Sequence, residues 1–375
     1  MFFKNARIFT PDFTFQTGSF EVTDEGRFGQ VLTAAPADAV DLQGATVIPG
    51  LVDIHIHGAM GADFSDGDLE GLQTMARYLA KSGITSFAPA SMTLPYETLK
   101  NAYSAARQLA DHPAVGCARI MGIHMEGPYF SHKKKGAQNG DYLKNPDIAG
   151  FRQLYDGCKG LIRIVDVAPE LPDAEAFIRE AAKLCTVSVA HTDSGYEDAK
   201  AAFAAGATHL THLFNAMPGI HHRNPGVIPA AAENDTVRAE LICDGLHVHP
   251  ASVRLAFRLF GPERMVLISD ALRCCGMEDG QYELGGQTVT LRDGIAKLPD
   301  GTIAGAATNL FQGMRNAMAF GIPEGDAVRV ATWNPACAIG AQDRIGSIEE
   351  GKQADFLVCA PDYSSVQVYM AGKPL

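Results

Sequence analysis

Imidazoles and carboxylates recur in this sequence where apolar runs stop. His55 and His57 close the run LVDIHIH at 51–57, Glu126 follows the run at 118–124, and His191 and His212 end the runs at 185–191 and 207–212. Asp270 ends the run at 265–270, and His247 lies just after the run at 238–244. Imidazole nitrogen with carboxylate oxygen is the donor set of a divalent transition metal. A cation held with an open position lowers the pKa of a bound water to about 7 and polarises a carbonyl oxygen. Asp270, if it reaches that water, takes its proton on attack and delivers it to a leaving nitrogen. His247 donates to the developing oxyanion. These parts together hydrolyse an amide or a similar C–N bond.

Each residue alone has a plainer reading. A strand-end histidine is often a satisfied core residue, a lone glutamate an ion-pair partner, and a strand-end aspartate the cap of the next helix. The chemical reading therefore depends on whether the fold brings them together. On their own, His124, His209, His221, His222 and His249 read as structural, and Lys133, Lys134 and Lys135 as a solvated loop. Trp333 and Asn334 read as a lock on the last helix. No GxSxG elbow or P-loop is present, so serine hydrolysis and phosphate transfer lack their parts.

The elements that must do this positioning are apolar, β-branched runs at 51–57, 84–90, 118–124, 162–168, 185–191, 207–212, 238–244 and 265–270. Alanine-rich helical stretches such as LEGLQTMARYLAKSG and YEDAKAAFAAGA separate most of them. Near-continuous apolar strands alternating with helices predict a parallel sheet covered on both faces. Eight strands predict a (β/α)8 TIM barrel, with a doubly wound open sheet as the rival. In a barrel the C-terminal strand ends open on one face, so residues distant in sequence meet there. The two histidines of an HxH pair on a strand share a face.

Short β-type segments at 1–49 and 345–375 predict a small β-sandwich domain built from both chain ends, with the catalytic barrel at 50–344. The stretch 281–304, with Gly-Gly and Asp-Gly turns, predicts an inserted hairpin. The 375 residues are 46% hydrophobic and 20% charged, ordinary globular composition. The formal net charge of −12 opposes nonspecific binding to nucleic acid or anionic membranes. No apolar run approaches the roughly 18 residues of a membrane span, and the start MFFKNARIFTPDF lacks the apolar stretch of a signal peptide. Eight cysteines without a CxxC pair predict reduced thiols. The expectation is a cytoplasmic enzyme.

The motif PGLVDIHIHG, the late strand-end Asp270 and the tail NPACAIG…GSIEEGKQADFLV resemble the amidohydrolase superfamily. GIHMEGPYF…KKKGAQ, VAHTDSGY, THLFNAM, HHRNPG, ICDGLHVHP and LISDAL, in that order, are similar to the N-acetylglucosamine-6-phosphate deacetylases, from about residue 45 to 360. The resemblance implies removal of acetate from N-acetylglucosamine 6-phosphate, in amino-sugar catabolism or cell-wall recycling. It implies Glu126, His191 and His212 as metal ligands, Asp270 as general base and acid, and His247 on the acetamido carbonyl. Ala137, Asn215, Ala216, Ile303, Ala304 and Gly305 match sugar-contacting positions. Arg223, with His222 beside it, matches a phosphate-binding arginine that reaches across a homodimer interface. Some members replace the first-strand HxH and hold one metal; with His55 and His57 both present, one or two ions, Zn²⁺ or Fe²⁺, stay open. Another N-acylated amino sugar such as N-acetylgalactosamine 6-phosphate, a cyclic amide, or an inactive scaffold are the competing readings.

Overall fold

The computed structural model describes residues 1–375. The eight runs become eight parallel strands: β1 (Leu51–Ile56), β2 (Ile84–Ser91), β3 (Ile123–Met125), β4 (Ile162–Val167), β5 (Thr186–Val189), β6 (His209–Leu210), β7 (Arg238–Ile242) and β8 (Met265–Ile268). Each pairs in parallel with the next. The run at 118–124 is split, with Arg119–Ile120 pairing β2 before β3 begins. The circle closes just beyond β8: Asp270 N–H donates to His55 O at 2.9 Å, and His57 N–H to Ala271 O at 2.9 Å. The open-sheet alternative is thereby excluded, and Asp270 is brought beside the His55–His57 pair.

A helix follows every strand. The first, Leu69–Lys81, begins because the Asp68 side chain accepts from the N–H groups of Glu70 and Gly71. Its buried residues Leu72, Met75, Ala76, Leu79 and Ala80 fall at helical spacing and form the stripe that packs on the barrel. Every residue of β1 and of β2 is buried, which explains why these runs do not alternate polar and apolar.

The two chain ends share one eight-stranded sheet, in which Phe356–Cys359 pairs with Thr46–Pro49. Phe3 and Tyr369 lie three strands apart in it, about 14 Å on a flat sheet. Their ring centroids are only 5.5 Å apart, so the sheet curls over itself into a sandwich around Phe3, Phe20, Phe28 and Phe356. Gly50 joins this sheet to β1. A Cβ there would stand 2.1 Å from Thr85 Oγ1, so only glycine lets the chain pass.

The insertion differs from the expected hairpin. It forms four antiparallel strands, Gly280–Leu284, Gln287–Arg292, Ile295–Lys297 and Ile303–Ala306. Three turns, Gly285–Gly286, Asp293–Gly294 and Asp300–Gly301, connect them, where a hairpin has one. Leu284, Val289, Leu291 and Ala296 give it a core that reaches Met92 and Ala137 of the barrel. Its last strand passes so near the end of β8 that a Cβ on Gly305 would lie 2.9 Å from Asp270 O.

Asn334 does lock the last helix. Its Nδ2 donates to Pro262 O and Met265 O, both at 2.7 Å, and it is 2% exposed. Asn334→Ala strands two buried carbonyls. Urea unfolding is expected to show about 1–3 kcal/mol of lost stability, with metal content unchanged because the residue sits at the opposite end of β8 from Asp270.

Candidate active site

The strand ends deliver the polar residues to one point. His55 and His57 project from the end of β1, Glu126 follows β3, and His191, His212 and Asp270 each lie two residues past β5, β6 and β8. His191, His212 and Asp270 all adopt left-handed backbone, with φ of 44°, 30° and 49°. Such conformations cost a non-glycine residue of order 1–3 kcal/mol each. The turns that aim these side chains inward are held by the surrounding fold against that cost.

Glu126 is the centre. Its Oε1 lies 3.1 Å from His191 Nε2 and 3.2 Å from His212 Nε2, and those two nitrogens are 3.1 Å apart. Ligand atoms around a tetrahedral ion with bonds of 2.0–2.1 Å are separated by roughly 3.3 Å. The tautomers agree with that spacing. His191 Nδ1 donates to Lys134 O (2.8 Å) and His212 Nδ1 to Asn215 O (3.2 Å), which leaves both Nε2 lone pairs facing inward.

The other half repeats the arrangement. His57 Nδ1 donates to Ala90 O (3.1 Å) and His55 Nδ1 to Glu240 (3.0 Å). His57 Nε2 lies 3.3 Å from both Glu126 Oε2 and Asp270 Oδ1. His55 Nε2, 3.6 Å from Glu126 Oε1 and from Asp270 Oδ1, is buried without a hydrogen-bond partner. A buried nitrogen lone pair left bare among carboxylates fits a missing cation. The residues thus fit two ions that share Glu126, one with His191 and His212, the other with His55 and His57.

The electrostatics point the same way. Burial disfavours the His212 imidazolium, yet the hydrogen bond to Glu126 and the charges of Glu126, Asp270 and Glu240 together outweigh burial and raise the pKa to about 9. Burial likewise opposes charge on Glu126, but the surrounding imidazoles hold its carboxyl well below the usual range. The cluster stabilises positive charge, whether carried by protons or by a cation that displaces them.

A pocket of about 180 Å³ opens above this floor. Ala137, Asn215, Ala216, Ile303 and Ala304 line it, as does His247. Gly305, which follows Ala304, is buried and does not line it. His222 and Arg223 do not reach it within one chain: both are exposed, and Arg223 donates to His222 Nε2 at 2.8 Å.

Four supporting residues escaped the sequence reading. Gln138 donates to Glu126 Oε2 at 2.6 Å and accepts from Thr93 N–H, so it orients the central carboxylate. Asp244 accepts from His247 Nδ1 at 2.6 Å; burial alone would lower the His247 pKa, but Asp244 raises it. Glu240 and Asp166 are buried beneath the floor, paired with His55 and His209 and with His124 respectively. The DxxH spacing of Asp244 and His247 was a readable signal. Glu240 and Asp166 lacked one, since their contacts are made across strands, and so did Gln138, whose contact with Glu126 closes a long loop.

The amidohydrolase family matches residues 46–375. The chain belongs to that family. N-acetylglucosamine-6-phosphate deacetylase of Bacillus subtilis (strain 168) is 38% identical over 88% of this chain and 82% of its own length. N-acetylgalactosamine-6-phosphate deacetylase of Escherichia coli O157:H7 is 32% identical over 90% of each. Among solved structures, a mutant N-acetyl-D-glucosamine-6-phosphate deacetylase from Mycobacterium smegmatis, in complex with N-acetyl-D-glucosamine-6-phosphate, superposes with a TM-score of 0.93. It is 34% identical and covers 100% of this chain and 98% of its own. Members of this amidohydrolase family are metal-dependent, in keeping with the His/Glu clusters at the barrel mouth.

His191 and His212 would each supply one of few ligands to a cation held with Glu126. His191→Ala and His212→Ala are each expected to lower bound metal by at least one ion per chain, read by elemental analysis. Undiminished metal in both variants would contradict the site as drawn.

Proposed function

We propose that this protein hydrolyses N-acetylglucosamine 6-phosphate to glucosamine 6-phosphate and acetate, a step of amino-sugar catabolism. The observation that carries the reading is the convergence of four imidazole Nε2 atoms and Asp270 on Glu126 at the floor of a pocket. The likeness to deacetylases of this kind runs through nearly the whole chain. Glu126, His191 and His212 would hold one divalent cation, Zn²⁺ or Fe²⁺, and His55, His57 and Glu126 a second. Such cations supply a Lewis acid for the acetamido carbonyl and lower the pKa of the attacking water.

The chain's own residues do the rest. Asp270 takes the proton from the attacking water and returns it to the amine nitrogen as the C–N bond breaks. His247, its Nδ1–H bound to Asp244, turns its other nitrogen to the pocket. The raised pKa keeps a proton there to donate to the developing oxyanion. Ala137, Asn215, Ala216, Ile303, Ala304 and Gly305 shape the sugar site. Arg223, assisted by His222, binds the 6-phosphate of the neighbouring subunit's substrate in a homodimer. Ile220, three residues from Arg223 and 48% exposed, is the kind of apolar residue a partner would cover. Eight unpaired cysteines and a phosphorylated substrate suit the cytoplasm. The galacto epimer is the second reading, supported by the Escherichia coli relative.

A panel of gluco and galacto N-acetylated sugars, each with and without 6-phosphate, tests the assignment through acetate release by metal-loaded enzyme. The phosphorylated gluco sugar should give the highest kcat/KM; a higher value for the galacto sugar would favour the second reading, and no acetate from any would overturn both.

Asp270→Asn should retain metal while kcat falls roughly 10²- to 10⁴-fold, because an amide cannot accept the proton. Asp244→Asn withdraws the charge that raises the His247 pKa. The activity that depends on protonated His247 then fails at lower pH, so the alkaline limb of the kcat profile should move toward acid.

Arg223→Ala removes a charge-assisted contact remote from the carbonyl. It should cost roughly ten- to a hundred-fold in kcat/KM for the phosphorylated sugar and little for the unphosphorylated one. Arg223→Lys should recover only part, having charge without the planar fork. Mixing Arg223→Ala with Asp270→Asn chains should restore activity after subunit exchange, since one site then carries both native residues. Equal losses on both sugars would refute the phosphate role, and no recovery would refute sharing between subunits.

A further inference from the structure

Glu240 is a carboxylate in the middle of β7 with no exposed surface, and no charged group of opposite fixed sign touches it. Its surroundings are donors. His55 Nδ1 lies 3.0 Å from Oε2, the His212 backbone N–H donates to the same oxygen at 3.3 Å, and His209 Nε2 lies 3.1 Å from Oε1. A carboxylate accepts only, so each imidazole nitrogen facing it carries the proton. For His55 this places the bare lone pair on Nε2, the atom that lies buried and unpartnered between Glu126 and Asp270.

The four inward-facing histidines are not held alike. His57, His191 and His212 are each tethered through Nδ1 to a backbone carbonyl, which substitution of a side chain elsewhere leaves in place. His55 alone is tethered to a side chain, and that side chain reaches it from β7, on the far side of β8. Glu240, His55 and His124 also stand close enough to resemble a cation site of their own. His124, however, spends Nδ1 on Ile54 O at 3.0 Å and Nε2 on Asp166 at 2.9 Å, so it has no lone pair to offer there. The group is a support beneath the floor.

We infer that Glu240 is the positioning residue for the ion position built by His55, His57 and Glu126: it fixes the tautomer and ring of His55, and without it that position loses affinity while the His191–His212 position does not. This rests on the two-ion reading of the site given above. Loss of an outer carboxylate behind a ligating histidine costs about 10- to 100-fold in metal affinity. The His212 backbone contact is the weaker of the two that Oε2 makes, and the His212 side chain keeps its own carbonyl, so the effect should be selective.

The experiment is titration of the full-length, metal-stripped protein with Zn²⁺ against a competing chelator. It uses the unmodified chain, His55→Ala, Glu240→Gln, Glu240→Asp and the double variant Glu240→Gln/His55→Ala. The unmodified chain should bind two ions, and His55→Ala should identify the second by abolishing it. Glu240→Gln should weaken that same ion 10- to 100-fold and leave the other within about twofold. The double variant should match His55→Ala, because Glu240 acts through His55. Glu240→Asp keeps the charge but shortens the reach, and should give an intermediate loss if Glu240→Gln does not fold.

Equal weakening of both ions, or no weakening of either, would overturn the inference, as would a further loss in the double variant or a single ion in the unmodified chain. An unmodified chain that binds no Zn²⁺ would instead overturn the metal-dependent reading itself.

Discussion

Everything at the barrel mouth is arranged around one buried carboxylate. Glu126 is 2% exposed and accepts or faces four imidazoles and the amide of Gln138. Isolated, such a charge would carry a desolvation cost of several kcal/mol, and it would be expected to take up a proton. Its carboxyl is instead held well below the usual range, because burial is outweighed by the imidazoles around it. Those imidazoles owe their orientation to tethers at Nδ1, three to backbone carbonyls and one to Glu240. The chemistry proposed for the site follows from this electrostatic focus, which attracts a cation and leaves lone pairs, rather than N–H groups, pointing at it.

Charge buried at the mouth is sustained by polar layers below it. Asp166 accepts from His124 and Thr211, and Glu240 from His55 and His209. His124 and His209, which the sequence presents as structural, are thereby consumed as donors. A closed barrel can carry such a layer because its backbone groups are already paired strand to strand.

The pocket's walls come from segments outside the regular barrel. The loop that carries Lys134 and Gln138 touches His191 and Glu126, and Gln287 of the insertion donates to Ala137 O at 2.5 Å. Ile303 and Ala304 of the insertion also line the opening. The pocket wall and the His/Glu floor are therefore linked through one loop. This arrangement lets substrate contacts vary on the insertion while the floor stays constant.

How much was legible follows from the range of each interaction. Strand and helix positions were readable because periodicity is local, and His55, His57, Glu126, His191, His212 and Asp270 announced themselves as polar residues ending apolar runs. The chain ends were readable as strands for the same reason. The insertion's four strands were underestimated because its three turns use similar Gly-containing dipeptides, and turn count alone does not say which strands pair. Gln138, Glu240 and Asp166 were invisible, since a buried carboxylate or amide inside a strand or loop carries no mark of the partner it will meet. The amino-acid sequence by itself determined the ligand types and the alternation that closes a barrel. Only the tertiary structure decided which nitrogen of each imidazole faces inward and that two histidine pairs meet at Glu126, because those choices rest on contacts between strands far apart in the chain.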